Sequence, residues 1–588
     1  MMVRKTHILF VLGYLLSTFS LLAQITENPT QETTEQILAD ILEQVSEDSE
    51  TELDFTSLYE DLIGLAENPI NLNNTTKQEL EKLQFLSDIQ IDNILYYIYK
   101  YGKMNSVYEL SLIDRLDRTD IRLMLPFVTV AKVKKKREKI KLKNVFKYGK
   151  NQLFFRLDRG LETKEGYRFL PEEEEENKEK NAKKYLGNPF YTNLKYQFRY
   201  KKNIAFGLTA EKDAGEQFWG NQHKGYDFYS AYFELKDFGK IKTLVLGDYR
   251  ANFAQGLVLR TDFSMGKSSY VLQVNPRSTG LKKSSSTAEY NYFRGGGVTL
   301  RFGDFDITSF YSNRNIDGDT IGGVFRSMNN TGLHRTQSDL DKKGNINQQT
   351  MGGNITFHYK TFELGATAVH TILEYPLMPI PNLYNQFYFQ GNKQTAGSLN
   401  YRFVWNKLRF SGETATTNKQ AFATTNTLYY SPVQTVGLVA LYRYFSKDYD
   451  TFYATSFSET SRINNETGFY IGAVIYPIRK WKISAYADSY QFPWLKYGIY
   501  QPSTIGKDYL LQVDYSLSHN VNMYWRFKYE KKMYNYSDTL SINPVVVPKP
   551  KWQGRYHLAY RFGNFKFKNQ FDVNGFDDGI NKPTFGFS

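Results

Sequence analysis

Two periodicities divide the chain. Between about Leu53 and Val130 apolar residues recur at helical spacing, and beyond residue 150 they alternate with polar ones at a period of two. In the first region Leu58, Leu62 and Leu65 predict an amphipathic helix that stops near Asn68 and Pro69. Asn74 or Thr75 is placed to N-cap a second helix, in which Leu80 and Leu83 share a face. Ile91, Ile94, Leu95 and Ile98 stand at i, i+3, i+4 and i+7 and predict a third over 89–101, with Gly102 closing it. Val107, Leu110 and Leu112 open another helical region, followed by Ile121, Leu123 and Leu125, and Pro126 ends it before the apolar tail 127–130. The expectation is a compact four- or five-helix domain over 53–130. Upstream, 24–52 is acidic and rich in Glu, Thr and Gln. It reads as a flexible segment or a loose helix, with Ile37, Leu38, Ile41 and Leu42 at helical spacing.

The second region has a strand rhythm. In 193–200, Leu194, Tyr196, Phe198 and Tyr200 face one way and Lys195, Gln197 and Arg199 the other. In 521–530 the apolar set is Val521, Met523, Trp525, Phe527 and Tyr529. Tyr556, Leu558, Tyr560 and Phe562 repeat the device, as do Phe565, Phe567 and Phe571 and, less strictly, Phe362, Leu364, Ala366 and Ala368. Each run is about ten residues long, which suffices to cross a bilayer at a tilt near 45°. Turn signals at Gly303-Asp304, Asn406-Lys407 and Asp237-Phe238-Gly239 alternate with long polar excursions over 159–191, 313–349 and 445–467. Tight turns at one end and long loops at the other are the arrangement of an outer-membrane barrel. The fold class read here is mainly β: a large antiparallel transmembrane β-barrel of about 18–20 strands over 150–588, with a small all-α N-terminal domain. The chain ends Thr584-Phe585-Gly586-Phe587-Ser588, shortly after the turn Asp577-Asp578-Gly579. The last edge therefore reads as truncated and open.

Composition changes the picture in three places. Mean hydropathy is −0.52, and the 46 Tyr and 43 Phe far outnumber the 6 Trp. A helical membrane protein needs long unbroken apolar runs, and the chain past residue 23 has none. The segment 1–23 reads as a signal peptide: Arg4 and Lys5 precede the apolar stretch from Ile8 to Leu22, with Ala23-Gln24 as the cleavage point. There is no cysteine, which excludes disulfides, thiolate metal sites and a lipidated N-terminal Cys. Much of the net charge of +13 sits in the linker 131–149, whose basic core carries Lys132, Lys134, Lys135, Lys136, Arg137, Lys139, Lys141 and Lys143. No stacking aromatic interrupts that core, so it offers backbone-type contact with a nucleic acid or an anionic surface at most. A solvated linker is the reading preferred.

Residues 68–83 (NPINLNNTTKQELEKL), 91–102 (IDNILYYIYKYG), 106–113 (SVYELSLI) and 125–130 (LPFVTV) resemble the tandem helix-hairpin-helix domain of competence-type DNA receptors. The whole arrangement is similar to a Bacteroidota family of helix-hairpin-helix domain-containing outer-membrane proteins. Residues 206–216, 225–239 and 244–257 carry that family's text in the β-region. The resemblance implies location and architecture, and no particular activity. One departure matters. DNA-binding hairpins use Gly-hydrophobic-Gly so that backbone N–H groups can approach a phosphate. Here Phe85 and Ser87 occupy the first pair of glycine positions and Arg115 and Asp117 the second, with Asp88 and Asp114 beside them. The scaffold is expected without its DNA grip.

Other chemistry is sparse. The acidic run from Glu172 to Glu176 falls in a long loop and reads as solvated. The His residues, His334 among them, have no ligand spacing, and Glu459 and Glu466 are acids that can face a lumen. Gly295-Gly296-Gly297 reads as a close-packing site within a strand. No nucleophile-and-base motif, Walker loop or dinucleotide fingerprint occurs. The sequence thus predicts a non-enzymatic outer-membrane channel, transport or assembly component, with a periplasmic helix-hairpin-helix docking or gating module and no metal or cofactor. Its expected partners are outer-membrane lipid, the barrel-insertion machinery and a periplasmic protein. The alternative is DNA binding or uptake through the helical domain and basic linker.

Overall fold

In a computed structural model the described residues are 33–48, 55–132, 141–168, 183–220, 223–262, 266–518, 520–536, 545–562, 565–577 and 584–587. The signal peptide, the core of the basic linker and the run from Glu172 to Glu176 lie outside them.

The N-terminal body contains five α-helices: α1 (Thr34–Asp48), α2 (Phe55–Glu67), α3 (Lys77–Leu80), α4 (Asp88–Tyr101) and α5 (Arg118–Met124). Short 3-10 turns connect them, including Val107–Leu112. Leu58, Leu62, Leu80, Leu83, Ile91, Ile94, Leu110 and Leu123 are all buried in one core, as the helical spacing predicts. α2 stops before Pro69, whose ring restricts the residue ahead of it. Thr76 rather than Asn74 or Thr75 caps α3, accepting from the Glu79 N–H, and that helix is only four residues long. Gly102, at a φ of 87°, closes α4. Two features extend the sequence picture. The segment 24–52 is not loose over 34–48: α1 buries Ile37, Leu38 and Ile41 in the same core as α2. The tail 127–130 forms a parallel ladder, Val128 opposite Ile70 and Thr129 opposite Asn71, which ties the two ends of the domain together.

The rest of the chain is one antiparallel sheet closed into a barrel. Three short strands (Gly280–Lys283, Gly318–Ile321 and Val324–Met328) are adjuncts within or above the loops. Without them, twenty strands from Lys150–Arg159 to Thr584–Phe587 form the wall. Register runs from each wall strand to the next, from Lys150 opposite Arg199 to Val573 opposite Phe587. In the strand order of the ring Thr584–Phe587 stands next to Lys150–Arg159. No paired positions across the seam between the last and first strands fall among the described residues, and Lys150–Arg159 is exposed along nearly all its length.

The burial pattern is that of a barrel in an apolar surround. On Phe190–Tyr200 the buried residues include Lys195 and Gln197, while Leu194 is exposed. On Phe305–Ile316, Phe305, Ile307 and Tyr311 are exposed and Asp306, Thr308 and Ser312 buried. Leu399, Phe403, Phe469, Ile471, Tyr509 and Leu511 continue the outer band on neighbouring strands. A lone soluble sheet has no reason to bury its charges and expose its rings. A barrel that meets hydrocarbon outside and a filled lumen inside has both reasons. Gly295, at a φ of 155°, shows why a glycine triplet interrupts one strand: a Cβ there would come within 2.3 Å of the Tyr311 carbonyl oxygen.

Candidate functional site: the helical body in the barrel mouth

The helical body sits in the end of the barrel that carries the short turns. Glu60 of α2 is buried and receives the Lys195 ammonium at 2.5 Å and the Gln197 amide at 2.7 Å, both from the strand Phe190–Tyr200. Lys202 pairs with Glu79 at 2.7 Å and Lys282 with Asp61 at 3.4 Å. Across the lumen Arg402 approaches Glu81 at 3.5 Å, Arg409 meets Asp92 at 3.1 Å and Lys482 lies 3.8 Å from Asp117. Near the seam Lys566 pairs with Asp40 and Lys568 with Glu43. These partners lie on strands around the circumference, so the helices fill the mouth rather than lean on one wall. In every such pair among the described residues the acid belongs to the helical body and the base to the barrel.

The electrostatics follow from that segregation. Burial pushes the Asp88 carboxyl up, but Lys77, Arg277 and Arg409 outweigh it and hold the group below its ordinary range. For Asp40, Lys566 and Arg122 likewise overcome burial and lower it. Glu81 differs: burial dominates over Lys77 and Arg277, and it is pushed up to about 7. Asp120 is pushed up to about 8, mainly by burial and then by Asp117. It is bound within the helical body, where Gln90 donates to it at 2.6 Å.

The hairpin positions that depart from the DNA-binding pattern have other employment. Phe85 is buried against Phe127, ring centroids 6.2 Å apart. Ser87 forms a capping box with Gln90 at the start of α4, and Asp117 does the same with Asp120 for α5. Arg115 adopts a φ of 67°, the left-handed region that the glycine would have occupied. Its guanidinium donates to the Gln434 carbonyl at 2.8 Å, to the Val433 carbonyl at 2.6 Å, to Ser431 Oγ at 2.7 Å and to the Val436 carbonyl. All four acceptors lie on one tight turn of the barrel. Phe85, Ser87, Arg115 and Asp117 therefore serve a core, two helix caps and a dock. Of the basic linker, Lys132, Lys141 and Lys143 are described and exposed, and 142–148 is helical. Lys134, Lys135, Lys136, Arg137 and Lys139 lie outside the described residues.

A second element fills the lumen above the helices, and nothing in the alternation pattern announces it. The connection after the strand Ile241–Asn252 folds inward. Tyr449 donates to the Leu257 carbonyl at 2.8 Å, Tyr470 to the Val271 carbonyl at 3.0 Å, and Glu413 accepts from the N–H groups of Gln255 and Leu257. At its lower end Val271, Leu272 and Val274 pack with Ile89 of α4. Arg277 then pairs with Asp88 at 2.5 Å and bonds the Leu86 carbonyl. The inner loop joins the helical body to the wall. Farther up, Glu459 and Glu466 do face the interior, each already neutralised: Lys267 meets Glu459 at 2.5 Å and Arg443 meets Glu466 at 2.5 Å.

Neither a family model nor a curated protein matches the chain. Among solved structures it is similar to Pseudomonas aeruginosa OccK9, at 12% identity over 72% of this chain and 97% of that one, with a TM-score of 0.31. It is also similar to Pseudomonas aeruginosa OpdQ, at 9% identity over 68% of this chain and 89% of that one, TM-score 0.29. Acinetobacter baumannii OccAB2 gives 9% identity, 68% and 92% coverage, and 0.30. Scores this low carry no argument. The barrel stands on its own strand register.

Proposed function

We propose that the chain is an outer-membrane barrel that passes a solute through its lumen, and that the helical body is a plug closing the periplasmic mouth. The observation that carries this is the one-way charge pairing between plug acids and barrel bases, completed by the Arg115 dock. Complementary fields of this kind fix orientation and register, and truncating a buried charged partner costs about 2–5 kcal/mol. A plug held by many such pairs stays seated yet remains separable, since each pair can be re-solvated in the mouth. On this reading the chain is not an enzyme: Glu459 and Glu466 are spent on cations and Glu413 on main-chain N–H groups of the inner loop. A periplasmic protein that engages the plug is the natural partner for opening it, and the outer band of rings is the lipid contact.

The DNA-uptake reading has less support. The hairpin residues that would meet a phosphate are occupied in capping, packing and docking.

The test is conductance of the full-length protein in planar lipid bilayers. The intact protein is expected to be near-silent, and Arg277→Glu with Arg409→Glu to open it. A large, steady conductance of the intact protein that the double variant leaves unchanged would overturn the plug. Retention of labelled duplex DNA by the full chain at low ionic strength would instead favour uptake.

A further inference from the structure

A second cluster of ionisable side chains lies at the opposite end of the barrel, among the long loops. Its members come from four separate stretches of chain. Glu211 ends one strand; Asp213 and Glu216 follow it; Asp227 precedes the next strand; Glu289 lies ahead of Phe293; and Asp317, His334 and Lys343 belong to one long excursion. His334 is buried, with Nδ1 2.6 Å from Asp227 and Nε2 2.9 Å from Asp317. Lys343 holds the other Asp227 oxygen at 2.6 Å. Glu216 accepts from the backbone N–H of His334 at 2.8 Å and of Asp213 at 2.7 Å.

These contacts leave the cluster short of positive charge. Six carboxylates (Glu211, Asp213, Glu216, Asp227, Glu289 and Asp317) stand against Lys212, His334 in its protonated form, Arg335 and Lys343, with Arg314 on the far side of the adjoining cavity and Arg294 committed to Asp248. Acid still exceeds base, and the excess has an address. Glu211 is 4% exposed, and its carboxylate makes no hydrogen bond or ion pair among the described residues. The charged groups that act on it most strongly are Asp213, Glu289, Glu216 and Asp227, all of them carboxylates. Oε1 of Glu289 is buried with no hydrogen-bond partner. A cavity of about 280 Å³ opens beside Glu289, lined by Asp227 and Asp317 and also by Lys343, Arg294 and Arg314.

We propose that this cluster binds one Ca²⁺ ion through the carboxylates of Glu211, Glu216, Asp227 and Glu289, with His334 positioning Asp227. Ligand atoms of Glu216, Asp227 and His334 already lie within 4.8 Å of one another. Oxygens that share an ion at about 2.3–2.6 Å are separated by no more than about 5 Å. Both ring nitrogens of His334 are turned to carboxylates, so the donor set left to the ion is oxygen, which selects a hard cation over zinc or copper. Ca²⁺ accepts the irregular geometry of ligands drawn from several loops, whereas Mg²⁺ demands a compact octahedron and keeps its waters. On the functional reading above this end faces the cell exterior, where sites of 10⁻⁴–10⁻³ M suffice. The site itself does not depend on that reading.

The test is calorimetry and thermal unfolding of full-length, detergent-solubilised protein stripped with EDTA and titrated with CaCl₂. One ion per chain is expected, half-saturating between about 0.1 and 1 mM, with a rise in Tm. Glu211→Gln with Glu289→Gln should lose the Ca²⁺-dependent rise and, in EDTA, be at least as stable as the natural chain, because like-charge repulsion is relieved. Should that pair fail to insert, Glu289→Gln alone should weaken binding tenfold or more. Absence of saturable binding up to about 10 mM, ten times the weakest such sites, overturns the proposal and leaves protons as the neutralising species. A double variant that keeps the one-ion response overturns it too, as does an equal response to MgCl₂, which marks general charge screening. None of these outcomes depends on the plug.

Discussion

Arg115 Nε donates a hydrogen bond of 2.8 Å to the main-chain carbonyl of Gln434 from a backbone φ of 67°. A residue in the left-handed region here aims a guanidinium at a barrel turn. The barrel turn supplies neutral acceptors in place of a nucleic acid's charge, and the dock is consequently insensitive to salt compared with the ion pairs around it.

Arg115→Ala should weaken docking by about 1.5–3 kcal/mol, the range for hydrogen bonds to a charged group. Spontaneous openings in bilayer recordings should rise by one to two orders of magnitude. The helical body should stay folded, since the side chain reaches out of its core, and far-ultraviolet circular dichroism checks this. An unchanged opening frequency would assign the dock to another contact.

Salt should divide the pairs by burial. Lys202 and Glu79 are 57% and 23% exposed, and Lys195 and Glu60 only 5% and 8%. Exposed pairs contribute about 0–1 kcal/mol and are screened, while breaking a buried one costs about 3–5 kcal/mol. Lys202→Ala should leave conductance near the natural level, and Lys195→Ala should raise it. The same ordering is expected for protease access to the plug.

Between about pH 5 and 8 the response of the docking contacts should come from Glu81, since Asp120, at about 8, is held inside the helical body by Gln90. The docked value of Glu81, about 7, lies above the ordinary 4.5. Its support for docking is complete below pH 4.5 and is lost as pH rises through 7. Asp40 and Asp88 are held below the ordinary 3.8, so their support is present above that value and fades only in stronger acid. Openings should increase from pH 5 to 8, and Glu81→Gln should flatten the profile. A profile unchanged by that substitution would place the titrating group elsewhere.

Phe85→Ala should destabilise the helical body by about 3–5 kcal/mol through a cavity beside Phe127. Thermal unfolding measures this. Phe85→Gly adds a glycine where the hairpin pattern has one, and it is expected to destabilise further without creating DNA retention, because Arg115 and Asp117 are still engaged.

Ile471 is exposed on the outer face of the strand Glu466–Ile475. Ile471→Arg should cost about 2–4 kcal/mol if that position lies at the bilayer midplane, measured as folding into lipid vesicles. A change near zero would place it at an interface.

The strands were legible because a barrel wall has one wet face and one oily face, and Leu194 beside Lys195 states that in two residues. The helices were legible for the same reason at period 3.6. Local chemistry also fixed the tight turns: Asn406 and Gly303 both take positive φ. What the sequence could not show is what touches what across the lumen. Glu60 and Lys195 are 135 positions apart, and neither has a neighbour that marks it. The inner loop after Asn252 was hidden because its apolar residues face an interior that only exists once the ring has closed. The acids around His334 read as unrelated side chains until four stretches of chain meet. The sequence by itself thus determined faces, periods and turns, which depend on neighbours a few residues away. Tertiary structure decided the plug, its dock and the outer cluster, since charge compensation at 3 Å depends on distance in space and is blind to separation along the chain.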